Sequence, residues 1–330
     1  MRTTPFVSVC MITYNHEKFI SQAIEGALMQ ETNFSFEILI NDDVSTDRTA
    51  HIIKEYEAKY PNIIKPLYQT ENQYSQNPSI PVFNNFLRAQ GKYIALCEGD
   101  DYWTDPNKLQ KQVDFLETHP SFSICSHRYK TYNEKTKEWF PYHGSPLFTE
   151  NIKGIAFDKE FHFTKYWLAK TMTVMFRKEH LDLHTLHQYE YLRDSHLFYH
   201  LLTAGNGYCM NYDAAVYRLH TEGIWGPTGK AERYDISSKV FEELYKHNKH
   251  DIVLRKIILQ RKFDLYSGFI SFKYPFFNFN ELKERVKRYS NYTKKPLILY
   301  PVFFVFYFVK RLMLIFKRGF NHVFKSVFPA

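Results

Sequence analysis

Residues 94–103 read Ile94-Ala95-Leu96-Cys97-Glu98-Gly99-Asp100-Asp101-Tyr102-Trp103. An apolar run of strand character ends abruptly in three carboxylates within four residues. Carboxylates gathered this closely repel one another and lose hydration, so a fold that collects them at a strand end does so around a cation. Asp oxygens suit hard ions such as Mg2+ or Mn2+, and those ions also hold phosphate oxygens. The stretch therefore predicts a metal-diphosphate site at the carboxyl end of a sheet. A solvated acidic turn leading into a helix is the alternative reading.

Upstream, Phe6 to Tyr14 is β-branched and apolar and predicts a buried strand, broken by Asn15-His16-Glu17-Lys18. Phe19, Ile20, Ala23, Ile24, Ala27 and Leu28 then recur at helical spacing. Phe36 to Ile40 predicts a second strand ending at Asn41-Asp42-Asp43. Ser45-Thr46-Asp47 offers N-cap chemistry to a helix whose inner side carries Ile52, Ile53, Tyr56 and Tyr60. Ile63 to Tyr68 predicts a third strand, Ser75 to Pro81 a loop, and Pro81 to Ala89 a short helix. Lys92 to Cys97 is the strand that delivers the acidic cluster.

Downstream, Asp105-Pro106 fits an N-cap followed by Pro at the first helical position, with Leu109, Val113 and Leu116 as the buried face. Ser121 to Tyr129 and Thr171 to Phe176 predict strands, and Glu134 to Asp158 a long loop or insertion. Leu192 to Leu202 predicts a helix, Tyr208 to Leu219 one or two strands ending at His220, and the chain beyond Lys230 further helix. Alternating short strands and helices predict an α/β domain with a mostly parallel central sheet. Ligands of such sheets bind beyond the carboxyl ends of the strands. Asn15, Asp43 and the Glu98–Asp101 cluster all fall at that one edge.

A hydrophobic content of 44% and an aromatic content of 18% exclude a largely disordered chain. Cys10, Cys97, Cys125 and Cys209 are far apart and form no CxxC pair, which predicts buried free thiols rather than zinc or disulfides. The amino terminus runs into the first strand with no signal-peptide pattern, which predicts a cytosolic body. The formal charge of +8 is a local property. Ten Lys or Arg and no Asp or Glu lie between Arg285 and Ala330, and the rest carries 33 basic and 35 acidic groups. The body thus has no broad nucleic-acid-binding signature.

Together Val7–Asn15, Glu37–Asp47, Glu98-Gly99-Asp100-Asp101 and Tyr217-Arg218-Leu219-His220 resemble glycosyltransferase family 2 in their order and spacing, over roughly residues 5 to 225. The resemblance implies the GT-A fold, a Rossmann-like nucleotide-diphospho-sugar transferase domain over 1–228, in halves of about 1–130 (nucleotide) and 131–228 (acceptor). It also implies an inverting, non-processive enzyme that moves a sugar from a nucleotide diphosphate sugar to an acceptor hydroxyl.

By the same resemblance Thr13, Tyr14 and Asn15 form the first nucleotide-contacting loop, and Asp43 contacts the base with Asp42 beside it. Without the family, a helix-capping cluster is the alternative reading of Asp42-Asp43 before Ser45. Glu98-Gly99-Asp100 stands at the D-x-D position. There Asp100 is the direct ligand of Mg2+ or Mn2+, and Glu98 reaches the ribose or a metal-bound water. Asp101 orients the metal or the sugar, and Gly99 lets backbone approach the donor. Tyr102 and Trp103 are either donor-pocket walls or core aromatics. Asp194 is the candidate general base, with Arg193 where the family commonly has an acid. His220 corresponds to the late histidine that meets the metal or diphosphate. Gly223, Gly226 and Gly229 then suit a mobile lid, with Trp225 covering the sugar.

Residues 229–292 form a helical extension in this reading, and 293–330 a tail. Pro296 to Val309 is apolar and uncharged but shorter than the roughly 20 residues of a spanning helix. Lys310-Arg311, Lys317-Arg318 and Lys325 follow at spacings that place charge on one helical face. That pattern predicts an amphipathic helix on the cytoplasmic face of an anionic membrane, which suits a saccharide or lipid-linked acceptor. Packing of this helix on protein is the alternative. A sugar-nucleotide nucleotidyltransferase would need a Gly- and Arg-rich loop where Asn15-His16-Glu17-Lys18 stands. A catalytically inactive nucleotide-sugar-binding scaffold on the membrane is the non-enzymatic reading, and Glu98 and Arg193 are the departures that favour it.

Overall fold

The computed structural model describes residues 4–258 except 143, 191 and 222–229, with backbone alone for 230–235. These residues belong to one unit, Met1–Tyr266. Strand β1 (Val7–Thr13) is apolar on both faces, with Val7, Val9 and Met11 in one core cluster and Cys10 in the other. Burial on both faces is the habit of a central strand in a parallel sheet. There follow α1 (Ile20–Leu28), β2 (Phe36–Asp42), α2 (Thr49–Lys59), β3 (Ile64–Tyr68), the one-turn α3 (Gln73–Gln76), α4 (Ile80–Arg88) and β4 (Tyr93–Leu96). After the acidic loop come β5 (Tyr102–Trp103), α5 (Lys108–Thr118), β6 (Phe122–Asn133), β7 (Glu138–Phe140), β8 (Gly154–Phe157) and α6 (Lys159–Thr164). The described chain continues through β9 (Met175–Arg177), α7 (Leu183–His187), α8 (Asp194–Ala204), β10 (Asn206–Leu219) and α9 (Lys230–His247).

The sheet runs β3-β2-β1-β4-β9-β6-β10-β5, with β7 on β6 and β8 on β10. Strands β3, β2, β1 and β4 pair parallel, as do β6 and β10. The chain winds outward from β1 to β3 and then returns to β4 on the other side of β1. This makes the β1/β4 boundary a topological switch point, where a crevice opens beyond the strand ends. The loops after β1 and β4 flank that boundary. Helix α1 lies close against β5, because a Cβ on Gly26 would sit 2.9 Å from backbone atoms of Trp103.

The expected parallel character holds for these long strands, and the short strands β5, β7, β8 and β9 add antiparallel pairings. The segment 134–158 is no plain loop: it supplies β7 and β8, which extend the edges of β6 and β10. Ser75 and Gln76, expected in the loop to Pro81, instead complete a turn of helix begun at Gln73, since Asn72 Oδ1 accepts the Ser75 N–H at 2.8 Å. Residues 171–173 form a 3-10 turn, leaving only Met175–Arg177 as strand. Trp103 is a core residue, 2% exposed, with its indole N–H donated to Met172 O at 2.8 Å. All four cysteines are buried and free. Val240, Phe241 and Leu244 of α9 share a core cluster with Phe163 and Phe198. The tail, 293–330, lies outside the described residues.

Candidate functional site

Three loops meet at the switch point. The first follows β1. Asn15 sits at φ 55 and Val44, after β2, at φ 61. Left-handed backbone is tolerated by Asn better than by most non-glycine residues and is strained for a β-branched one. The two loops are knitted together, which holds them in these conformations. Asn15 N donates to Ser45 Oγ at 2.9 Å, and Asn15 Oδ1 accepts the Thr46 N–H at 2.7 Å. Ser45 Oγ in turn donates to Asp42 Oδ1 at 2.5 Å. Burial pushes the Asp42 carboxyl above its ordinary range despite the bonds from Ser45. Asn15 and Asp42 thus shape the two loops, and Tyr14 stands 44% exposed above them.

Asp43 donates its N–H to Thr13 O at 3.1 Å. Its carboxylate accepts the N–H groups of Gln73 (2.8 Å) and Tyr74 (2.9 Å). The capping reading of this pair is therefore partly realised, although the segment that Asp43 caps is α3. The Tyr74 hydroxyl accepts from Arg193 Nη1 at 2.6 Å. That bond ties α3 to the start of α8, where Asp194 is exposed and accepts the Ser195 N–H at 2.7 Å.

The acidic loop closes the crevice from the β4 side. Gly99 N donates to Ile12 O at 3.0 Å, and a Cβ on Gly99 would lie 2.7 Å from Thr13 Oγ1 and 3.1 Å from His16 Nδ1. Glycine is needed here for the approach of this loop to the β1 loop. Asp101 is 1% exposed, its Oδ1 accepts the Arg218 N–H at 2.8 Å, and its Oδ2 is buried without a hydrogen-bond partner. Burial, then the charges of Asp100 and Glu98, push the Asp101 carboxyl well above the ordinary range. Burial and the charges of Asp100 and Asp194 push Glu98 up to about 8. Burial also works against Asp100, but the hydrogen bond from His220 and the nearby His16 hold its carboxyl below the ordinary range.

His220 Nε2 lies 3.0 Å from Asp100 Oδ2, and His16 Nε2 lies 3.9 Å from the same oxygen. Two sets could hold a cation, Glu98 with Asp100 and Asp101, and His16 with Asp100 and His220, the ligand atoms of each set lying within 4.8 Å of one another. The orphaned Asp101 oxygen and the crowded carboxyls fit a divalent ion, which would relieve both.

Sequence reasoning singled out no role for three residues at this site. Arg218 is 5% exposed, donates Nη1 to Asp100 O at 2.7 Å, bonds Gln22, and stacks 4.3 Å from the Tyr102 ring. Lys170 sits 3.9 Å over the Tyr217 ring and its charge lowers the pKa of both Glu98 and Asp101. His16 is the third. The structure brings together Thr13, Asn15, Asp42, Asp43, Glu98, Gly99, Asp100, Asp101, Asp194 and His220 around the loops of one sheet edge. Trp225 and the lid glycines lie outside the described residues.

Residues 8–182 match the sequence family described as Glycosyl transferase family 2. An uncharacterized protein of Mycobacterium tuberculosis (strain ATCC 25618 / H37Rv) is 46% identical over 125 residues, which are 37% of this chain and 34% of that protein. The chain thus spans about a third of the length of that relative. The putative teichuronic acid biosynthesis glycosyltransferase TuaG of Bacillus subtilis (strain 168) is 28% identical over 232 residues, 69% of this chain and 85% of that protein. Among solved structures, S. aureus TarS in complex with UDP-GlcNAc superposes with a TM-score of 0.59 at 17% identity, covering 87% of this chain and 80% of that one. That likeness is one of fold, and it is the GT-A fold.

Proposed function

Because the chain belongs to glycosyltransferase family 2, we propose that it moves a sugar from a nucleoside diphosphate sugar to an acceptor hydroxyl with inversion. The observation that carries the reading is the convergence of Glu98, Asp100, Asp101 and His220 at the β1/β4 switch point, where the Asp194 charge also acts on Glu98. The acceptor oxygen attacks the anomeric carbon, the bond from that carbon to the diphosphate oxygen breaks, and the diphosphate leaves with the electron pair. Asp194, exposed at the start of α8, takes the acceptor proton. Thr13, Tyr14 and Asp43 line the nucleotide end, with Asn15 and Asp42 fixing the loop shapes. Asp100 and His220 would hold Mg2+ or Mn2+, which supplies countercharge to the leaving diphosphate. Lys170 adds a cation on the same side.

UDP-sugars are the first donors to screen, since a neighbour in fold binds UDP-GlcNAc. The name of the Bacillus relative supports a setting in surface polysaccharide synthesis. No helix among the described residues is long and apolar enough to cross a membrane. The basic, apolar sequence of 293–330 supports a peripheral site on an anionic membrane and an acceptor carried on a saccharide or a lipid. A panel of nucleotide sugars titrated with and without divalent metal tests the reading. Metal-dependent binding and release of nucleoside diphosphate by the wild type, both lost in Asp100→Ala, are expected. Binding indifferent to metal and to Asp100 removes the proposal.

A further inference from the structure

We propose that His16 is a direct ligand of the cation site, so that two imidazoles and the Asp100 carboxylate favour a first-row transition ion over Mg2+. This rests on the reading above that a divalent cation sits at Asp100. His16 follows Asn15, whose backbone is left-handed at φ 55. The loop holds His16 by its backbone: its N–H donates to Thr49 Oγ1 at 2.8 Å, and its carbonyl accepts from Phe19 and Ile20 at 2.8 Å each. From this anchored backbone the ring extends toward the acidic loop. Its Nδ1 lies against Gly99, at a spacing that a side chain there would close to 3.1 Å. Its Nε2 faces Asp100 Oδ2 at 3.9 Å.

That separation is too long for a hydrogen bond. Ligand atoms around one first-row ion, each about 2.1 Å from it, lie roughly 3.0 to 3.5 Å apart. The His220–Asp100 edge of 3.0 Å already meets this range, and the His16–Asp100 edge of 3.9 Å meets it after a shift of a few tenths of an ångström. The two rings stand 6.1 Å apart and nearly perpendicular, at 86°, so each presents a nitrogen to the shared carboxylate from its own side. Imidazole best suits the later first-row ions such as Fe2+, Ni2+, Cu2+ and Zn2+, and even Mn2+, the weakest of that series, takes it more readily than Mg2+, which prefers oxygen and keeps its water.

The test uses the full-length protein and Mn2+ alone. Pulsed electron paramagnetic resonance counts the nitrogens bound to Mn2+, and competition gives the affinity for Mg2+. Two imidazole nitrogens are expected in the wild type and one in His16→Asn and His16→Gln. Loss of a ligand should weaken Mn2+ by at least about tenfold, the lower end of the cost of losing even an outer-shell partner. Mg2+ affinity should move less, so the preference narrows. A single nitrogen in the wild type overturns the inference without need of a variant. Mn2+ binding that falls in Asp100→Ala but ignores both His16 variants also removes His16 while leaving the cation reading intact. Binding indifferent to Asp100, or no binding at all, removes the cation reading itself.

Discussion

Lys108 is fully buried at the start of α5, 3.9 Å from the Trp103 ring and bonded to Gln112 Oε1 at 2.7 Å. It stands directly behind the acidic loop, and burial lowers its pKa from 10.5 to about 7. The consequence is a dependence of stability on pH with a definite sign. Below about pH 7 both folded and unfolded chains hold the proton, and the folded state carries the whole cost of a buried ammonium. Between about 7 and 10.5 the unfolded chain holds a proton that the folded chain has lost, so stability rises with pH at about 1.4 kcal/mol per unit. Across the window the gain is on the order of 5 kcal/mol. Other groups titrate there too, so the quantity to measure is a difference. Lys108→Met keeps the length and apolar stem, and the ammonium is gone. It also forfeits the bond to Gln112 and the contact with the indole, worth about 1 to 3 kcal/mol together. At neutral pH that loss offsets only part of the buried-charge cost, so the variant should be the more stable by about 2 to 4 kcal/mol. The difference in slope is not offset in this way. Urea unfolding of both proteins at intervals from pH 7 to 10 is expected to give wild-type stability rising relative to the variant. Parallel curves across that range would falsify the claim that the buried amine sheds its proton on folding.

Three further outcomes are expected. Gly99→Ala forces a Cβ to within 2.8 Å of the Thr13 Cβ, so melting should report a loss of about 1 to 3 kcal/mol together with weaker nucleotide binding; an unchanged variant refutes the close approach of the two loops. Tyr74→Phe removes the acceptor of the Arg193 bond, and kcat should fall about fivefold for a loss near 1 kcal/mol while donor affinity changes little. An equal change in both, or none, shows that the bond does not place Asp194. Arg218→Lys retains the charge and the backbone bond to Asp101 but loses the fork that reaches Asp100 O and Gln22. It should cost about 2 kcal/mol on thermal unfolding and weaken Mn2+ binding, and an unchanged Mn2+ affinity separates Arg218 from the acidic loop's geometry.

What the sequence disclosed was whatever depends on neighbours along the chain. Strand β1, helix α1 and the run into the acidic loop follow from apolar spacing alone, and these set the switch point and hence the site. What it withheld depends on pairings between distant segments. Arg218 meets Asp101 across 117 residues, and only the β10–β5 and β10–β6 registers bring it there. Lys170 is a loop lysine until β10 places Tyr217 beneath it. Asp43 was legible as an acid at a strand end, yet its backbone partners lie in a turn that polar residues and a proline made look irregular. Val44 shows the limit most plainly. A β-branched residue favours strand, and left-handed backbone costs it about 1 to 2 kcal/mol, so propensity points away from the conformation adopted at φ 61. The Asp42–Ser45–Asn15–Thr46 bonds hold the two loops together around it. Because those bonds join loops from separate strands, strain and its support arise together only in the folded chain, at the edge where a ligand must be gripped.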